Sequence, residues 1–336
     1  MKIALINGDG IGPEQMESAR SILYKIDDIL DINLEFEEIE AGDSALIKYG
    51  KALPDESIEK IKRCDACLKA PIGSSAADVI VTLRRMLDLY ANVRPAKTYP
   101  TIKALKDDID IIIVRENTED LYSGLEYELD DSAIAIKVIT RRASLRIAEF
   151  AFKMAMMRER KIVHAVHKAN LLRKSDGLFA LCCREVANRY PEVEYGEMLI
   201  DACSMQLIRE PREFSIIVTM NMYGDILSDE AAQVVGSLGI APSANIGDKF
   251  AIFEPVHGSA PDIAGKGIAN PLSLILSAEM MFEWLSSKDR RCKIAAEMID
   301  NAINNVLRKG IKTPDISGNN NTHEVTSAII NELTNY

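Results

Sequence analysis

The chain is short of positive charge: 40 lysines and arginines stand against 51 aspartates and glutamates, a net charge of -11 over 336 residues. Gripping nucleic-acid phosphates needs a concentrated basic surface, so that class of function is argued against. No apolar run reaches the roughly 18 residues of a membrane span. The start, Met1-Lys2-Ile3-Ala4-Leu5-Ile6, turns to glycine at once. It has neither the apolar stretch nor the small-residue cleavage site of a secretory signal, and a cytoplasmic protein is expected. Cysteine is sparse. Of the six, Cys64 and Cys67 have the spacing of a zinc or redox pair, but no second Cys/His pair at finger spacing accompanies them. Packed, reduced thiols are expected instead. Internal repeats and low-complexity stretches are missing as well.

What is present is an ordinary globular balance, 47% apolar and 27% charged, at a length for one large α/β unit or two domains. Short apolar runs alternate with amphipathic segments throughout, the pattern of a sheet covered by helices. Strands are predicted at Lys2–Asn7, Leu34–Ile39, Ala66–Ala70, 109–115, 161–167, 193–200, 215–220 and 250–254. Helices are predicted from Pro13 onward and at 77–87, 142–157, 175–189, 224–236, 271–286 and 290–308. Leu121–Lys137 alternates polar and apolar residues around Asp130 and Asp131, which suggests a hairpin or arm. Pro95–Pro100 and the Gly/Pro-rich stretch 236–247 read as loop-like boundaries.

Several stretches carry chemistry. Gly8-Asp9-Gly10-Ile11-Gly12-Pro13-Glu14 follows a strand and opens a helix, but Pro13 falls where a dinucleotide fingerprint needs its third glycine. Arg84, Arg94 and Arg115 stand at the mouths of apolar elements, where a guanidinium without a counter-charge is costly. Each either faces water or binds an anion bidentately, and three together suit a polycarboxylate. Asp225 and Asp229, four apart, face the same way on a helix, and Asp201 follows a strand. Acidic residues in a first helical turn are favoured by the helix dipole alone. If the three converge, their oxygens suit Mg2+ or Mn2+ better than zinc. Lys168 closes an apolar strand, either as a solvated charge or as a partly desolvated base. Tyr122 is a phenolic acid or a packing residue. The glycines and small residues of Phe253–Lys266 leave backbone N–H groups open to an anion such as a pyrophosphate.

Taken in order, Gly8–Glu14, Leu83–Lys97, Val114–Tyr122, His167–Asn170, Asp201, Gly224–Asp229, Glu254–Gly265 and Thr313-Pro314-Asp315 resemble the isocitrate/3-isopropylmalate dehydrogenases. The resemblance spans essentially the whole chain. It implies an α/β fold of two domains sharing a mixed sheet, not a Rossmann fold. Residues 1–90 plus 237–336 would bind the cofactor. Residues 91–236 would carry substrate, metal and homodimer contacts, with an arm near 121–137. It implies further that Arg84, Arg94 and Arg115 hold the carboxylates of a malate-like small molecule. Asp225 and Asp229 would bind Mg2+ or Mn2+ together with Asp201 of the partner subunit. Lys168, likewise from the partner, would be the base and Tyr122 the acid.

The same resemblance puts NAD against Asn170, Glu254, His257, Gly258, Ser259, Ala260, Asp262, Ile263 and Asn270. Asp262 accepts hydrogen bonds from a ribose 2′-OH, whereas it would repel a 2′-phosphate by roughly 1–4 kcal/mol at about 4 Å. The substrate side group should land on the helix before Arg84. Isocitrate enzymes would want a serine at 78 and an asparagine at 80, where Asp78 and Ile80 stand, and a homoisocitrate enzyme an arginine near Val81. An Ile80/Val81 surface closed by Leu171 suits an isopropyl group, whose burial is worth roughly 1.5–3 kcal/mol. The isopropylmalate pattern, however, usually has a glutamate where Ala77 stands, and Tyr122–Glu128 and Leu178–Tyr190 look more like NAD-linked isocitrate enzymes. The expected substrate is 3-isopropylmalate, with isocitrate and then homoisocitrate as alternatives. A silent regulatory subunit would have lost the lysine, the tyrosine or an aspartate, and all are retained.

Overall fold

Strands of this sequence are short and mostly apolar on both faces, which demands helices above and below the sheet they form. A computed structural model describes residues 1–334. In chain order it comprises β1 (Lys2–Ile6), α1 (Gly12–Leu30), β2 (Glu35–Glu38), α2 (Asp43–Tyr49), α3 (Asp55–Lys62), β3 (Ala66–Lys69), α4 (Asp78–Met86), β4 (Ala91–Lys97) and β5 (Asp110–Glu116). There follow β6 (Glu126–Leu129), β7 (Ser132–Ala135), α5 (Arg141–Met156), β8 (Ile162–His167), α6 (Ser175–Ala187), β9 (Glu194–Leu199), α7 (Ile200–Arg209) and β10 (Ile216–Thr219). The chain ends with α8 (Asn221–Val234), β11 (Pro242–Ile246), β12 (Ala251–Pro255), α9 (Leu272–Leu285), α10 (Arg290–Arg308) and α11 (Thr322–Thr334).

Ten strands form one mixed sheet in the order β2-β1-β3-β12-β11-β4-β5-β10-β8-β9. The two flanks are parallel, but β12–β11, β11–β4 and β4–β5 pair antiparallel, so strand direction reverses in the middle. That reversal matters for the site. Asn92 of β4 lies opposite both Arg115 of β5 and Asn245 of β11, and Glu254 of β12 lies opposite Ser243. Residues two apart on a strand share a face, so Arg94 joins Asn92 and a polar row crosses an otherwise apolar sheet. On one side α1, α9, α10 and α11 bury the stripe that includes Met16, Ile22, Ile275, Phe282, Ile299 and Ile303. A second core packs α5 and α6 on β5, β8 and β10 through Ile147, Phe152, Phe179 and Val218.

Two expected loops are strands. Residues 236–247 contain β11, which sits at the sheet's centre, and Pro95 lies inside β4. Pro242 is tolerated as the first residue of its strand. Beside Pro95 the β11 partner reaches only Ala91–Val93, so from Arg94 onward one side of β4 is open. The N–H of Thr98 points to β5, so the alternating proline nitrogen faces that open side, where no donor is needed. Helices α2, α3, α7 and α11 were not anticipated either. α8 begins at Asn221, which moves Asp225 out of the first turn and weakens the dipole explanation for it. The six cysteines are buried free thiols. β6 and β7 form a separate hairpin whose Tyr127, Leu129 and Ile134 are exposed. Among the described residues no helix is long and apolar enough to cross a membrane.

Candidate active site

Arg84 ends α4, Arg94 lies in β4 and Arg115 near the end of β5, and all three are buried, Arg115 to 1% exposure. The alternative that they face water therefore falls for each. Burial obliges each guanidinium to find acceptors. Arg84 donates to Asn245 Oδ1 (2.8 Å) and Glu254 Oε1 (3.3 Å). Arg94 donates to Asn92 Oδ1 and Ser228 Oγ, both at 2.7 Å, and stands 3.2 Å from Asp225 and 3.5 Å from Asp229. Arg115 donates to Asn221 Oδ1 (2.7 Å) and pairs with Asp225. The Tyr122 hydroxyl donates to the other oxygen of Asp225 at 2.5 Å, and its ring lies under Arg115.

The electrostatics follow from this crowding. Burial would raise the Asp225 carboxyl, but Arg115, Arg94 and the Tyr122 hydroxyl outweigh it and hold it low. Asp229 is raised, because burial acts on it with only Arg94 and Arg115 in opposition and Asp225 adding to the effect. Tyr122 is raised by burial and by its bond to Asp225, so it remains a protonated donor. Burial and the neighbouring Arg94 and Arg84 lower Arg115. With Lys69, which pairs with Glu254 at 2.6 Å, four buried cations thus meet the three carboxylates of Asp225, Asp229 and Glu254. A surplus of buried positive charge is suited to an anionic ligand.

Lys168, just past β8, forms a separate ion pair with Asp201 of the first turn of α7. Hydrogen bonding to Lys168 lowers the Asp201 carboxyl. No cluster of three Asp, Glu, His or Cys side chains able to share a metal occurs among the described residues, so Asp201 does not join Asp225 and Asp229 within one chain. Asn170 is exposed and Leu171 is 73% exposed.

A cavity of about 410 Å3 lies between the turn after β1 and the loop after β12, lined by Ile11, Gln15, His257, Gly258, Ala260, Ile263, Asn270 and Asp315 among others. Ile11 N–H donates to the Ser259 carbonyl at 2.9 Å. At Gly10 a Cβ would meet that carbonyl oxygen at 2.0 Å, so glycine is required for the two loops to touch. Gln15 Nε2 donates to the Asn270 carbonyl at 2.7 Å and stands 3.1 Å from His257 Nε2, while its buried Oε1 has no hydrogen-bond partner. Asp262 is exposed on the short helical turn Pro261–Ile263, outside the lining of this cavity. A smaller cavity of about 180 Å3 shares His257 and Gly258 and is lined also by Lys69, Ala77, Ile80 and Glu254. Val81 is partly buried and does not line it.

The profile of the isocitrate/isopropylmalate dehydrogenases matches residues 2–332. The chain belongs to that family.

Within the isocitrate/isopropylmalate dehydrogenase family, the chain is 52% identical to the 3-isopropylmalate dehydrogenase of Sulfurisphaera tokodaii, with 98% of each chain covered. It is 51% identical to the 3-isopropylmalate dehydrogenase of Archaeoglobus fulgidus, with 99% of each covered. The isocitrate/homoisocitrate dehydrogenase of Thermus thermophilus is 47% identical over 99% of this chain and 98% of its own length. Among solved structures, isocitrate dehydrogenase from Methylococcus capsulatus superposes with a TM-score of 0.92 at 41% identity, with 99% of each chain covered. The α/β fold with one large mixed sheet is thus that of the family, as expected, and not a Rossmann fold.

Sequence reasoning missed several polar partners in this family site. Asn92, Asn245, Ser228 and Asn221 supply acceptors to the arginines, and Lys69 pairs with Glu254 at 2.6 Å. Lys69 carried the same signal as Lys168, a lysine closing an apolar strand. Gln15 and Asp315 lay in or beside stretches already marked as motifs. The asparagines had no local signal.

Proposed function

We propose that the protein oxidises and decarboxylates 3-isopropylmalate to 2-oxo-4-methylpentanoate and CO2 with NAD and Mg2+ or Mn2+. The observation that carries this reading is on α4. Ile80 and Arg84, four residues apart, share one helix face, so an apolar contact sits one turn before a buried guanidinium. Relatives at about 50% identity bearing the name 3-isopropylmalate dehydrogenase support the same substrate. Lys69, on the wall that Ile80 lines, is a cation of the kind that the third carboxylate of isocitrate would want, but Glu254 already meets its charge.

The donors fit the implied groups. Asp225 and Asp229 offer hard oxygens on one helix face, and the raised carboxyl of Asp229 is of the kind a nearby cation stabilises. Asp201 of the partner subunit completes the set in this reading. The unpartnered Gln15 Oε1 and the cavity beside it fit a dinucleotide, and Asp262, exposed outside the cavity's lining, favours NAD by its charge alone. When bound, the cation supplies Lewis-acid stabilisation of oxygen charge and NAD supplies the hydride acceptor. Arg84, Arg94 and Arg115 bind and orient the substrate carboxylates. Lys168 Nζ of the partner subunit takes the hydroxyl proton, and Tyr122 Oη gives a proton to the carbon that CO2 leaves. This requires a homodimer. Met205 (69% exposed) and Ile208, on the helix α7 that carries Asp201, and Ile226 on the adjoining α8 are exposed apolar side chains that suit a second copy.

The test is steady-state kinetics with NAD, Mg2+ or Mn2+, and isopropylmalate, isocitrate or homoisocitrate. Isopropylmalate should give the highest kcat/KM. An advantage of about tenfold or more for isocitrate, 1.4 kcal/mol of transition-state preference, would overturn the substrate and leave the chemistry standing.

A further inference from the structure

Lys168 does not reach out from a free loop. Its backbone N–H donates to Asp176 Oδ2 at 2.8 Å, and the next N–H, of Ala169, donates to His167 Nδ1 at 3.2 Å. Asp176, in the first turn of α6, is fully buried, and its Oδ1 accepts the Lys137 ammonium at 2.7 Å. Lys137 follows β7 at the root of the arm. Its ammonium is also 3.8 Å from Oδ1 of Asp120, another fully buried carboxylate, and lies 4.4 Å from the centre of the Tyr223 ring. Asp120 Oδ2 in turn accepts the N–H of Met222 at 3.0 Å, in the first turn of the helix that carries Asp225 and Asp229.

One ammonium between two buried carboxylates leaves a net negative charge in a low dielectric, and Asp120 Oδ1 has no hydrogen bond. Such a group is a poor way to stabilise a fold. What it does achieve is geometric: its two ends are the backbone under Lys168 and the start of α8. We propose that Lys137 and Asp176 are positioning residues that set the backbone from which Lys168 acts and, through Asp120, tie it to α8 of the same protomer. The inference rests on the reading of Lys168 as base and Asp225 as metal ligand. In that reading Lys168 serves the partner's site while Tyr122 and Asp225 serve the protomer's own, so the bridge joins the two sites of the dimer.

The test combines Lys137→Met, Lys137→Arg and amide hydrogen exchange on the full-length protein. With isopropylmalate, K137M should lose about 10- to 100-fold in kcat, the scale of a misplacement near 1 Å, with KM for both substrates within about threefold. K137R, which can still pair with Asp176, should recover most of the loss. Protection of the Lys168 and Met222 amides should fall together in K137M, by about tenfold or more. A K137M enzyme with full kcat, or loss of protection at only one of the two amides, overturns the bridge. Should K137M not fold, Asp120→Asn carries the same test: coupled loss at both amides is expected, and loss at Met222 alone overturns it. A parent protein inactive on all three hydroxy acids refutes the proposed function, while the exchange result still decides the bridge.

Discussion

Glu254→Gln should destabilise the protein, and by an amount that depends on pH. The carboxylate is 6% exposed and receives Lys69 at 2.6 Å, Asn245 Nδ2 at 2.8 Å and Arg84 at 3.3 Å. Burial alone would raise it, but Lys69 and Arg84 dominate and depress it from the ordinary 4.5 to about 2. That depression is worth on the order of 3 kcal/mol at neutral pH. A carboxyl depressed in the folded state contributes stability that is fully present above about 4.5 and is lost as pH falls toward 2. Less than half should remain at pH 3. Glutamine keeps the shape and one acceptor for Asn245, but Lys69 and Arg84 then face an amide. Denaturant unfolding of parent and variant at pH 7 and pH 3 reads the effect. The difference between them should be at least about 3 kcal/mol at pH 7 and smaller by about 2 kcal/mol at pH 3. An equal difference at both pH values would refute the reasoning, because the stabilisation would then not come from the ionised carboxylate.

Three further outcomes follow from the site. Tyr122→Phe removes the phenolic proton and the bond to Asp225, and kcat should fall by about 10²- to 10⁴-fold with little change in KM; a loss under about fivefold would contradict a role as acid. Asp262→Lys replaces a repelling carboxylate by a cation, and the NADP/NAD ratio of kcat/KM should rise by about tenfold or more, the scale of one charge pair. An unchanged ratio would remove Asp262 from cofactor contact. Met205→Lys combined with Ile226→Asp buries charges in the proposed dimer face. Light scattering should report a monomer, and activity should vanish with it; an active, unchanged dimer would place the interface elsewhere.

Much of the fold could be read locally. The run Ile111–Val114 reads as a buried strand, and the spacing of Met16, Ala19, Ile22 and Leu23 as the inner face of a helix. The arginines stood out because a charge ending an apolar run needs a partner. β11 did not stand out. Pro242-Ser243-Ala244-Asn245-Ile246 has the composition of a loop and becomes a strand only because β12 and β4 pair with it on both sides. The sequence places Gly224 at the start of its helix, yet it lies inside α8, where a Cβ would meet Arg115 Cγ at 2.6 Å.

The sequence by itself determined most of the strands and helices, β4, β11 and four of the helices excepted, and which residues carry charge, because apolar periodicity and capping act over a few residues. Only the tertiary structure decided which charges meet. Arg84, Arg94, Arg115, Tyr122 and Asp225 come from five different segments, and the reversal of strand direction at β11, β4 and β5 brings them to one place. Pairing of that kind depends on strand order and register, which are set by contacts between residues distant along the chain.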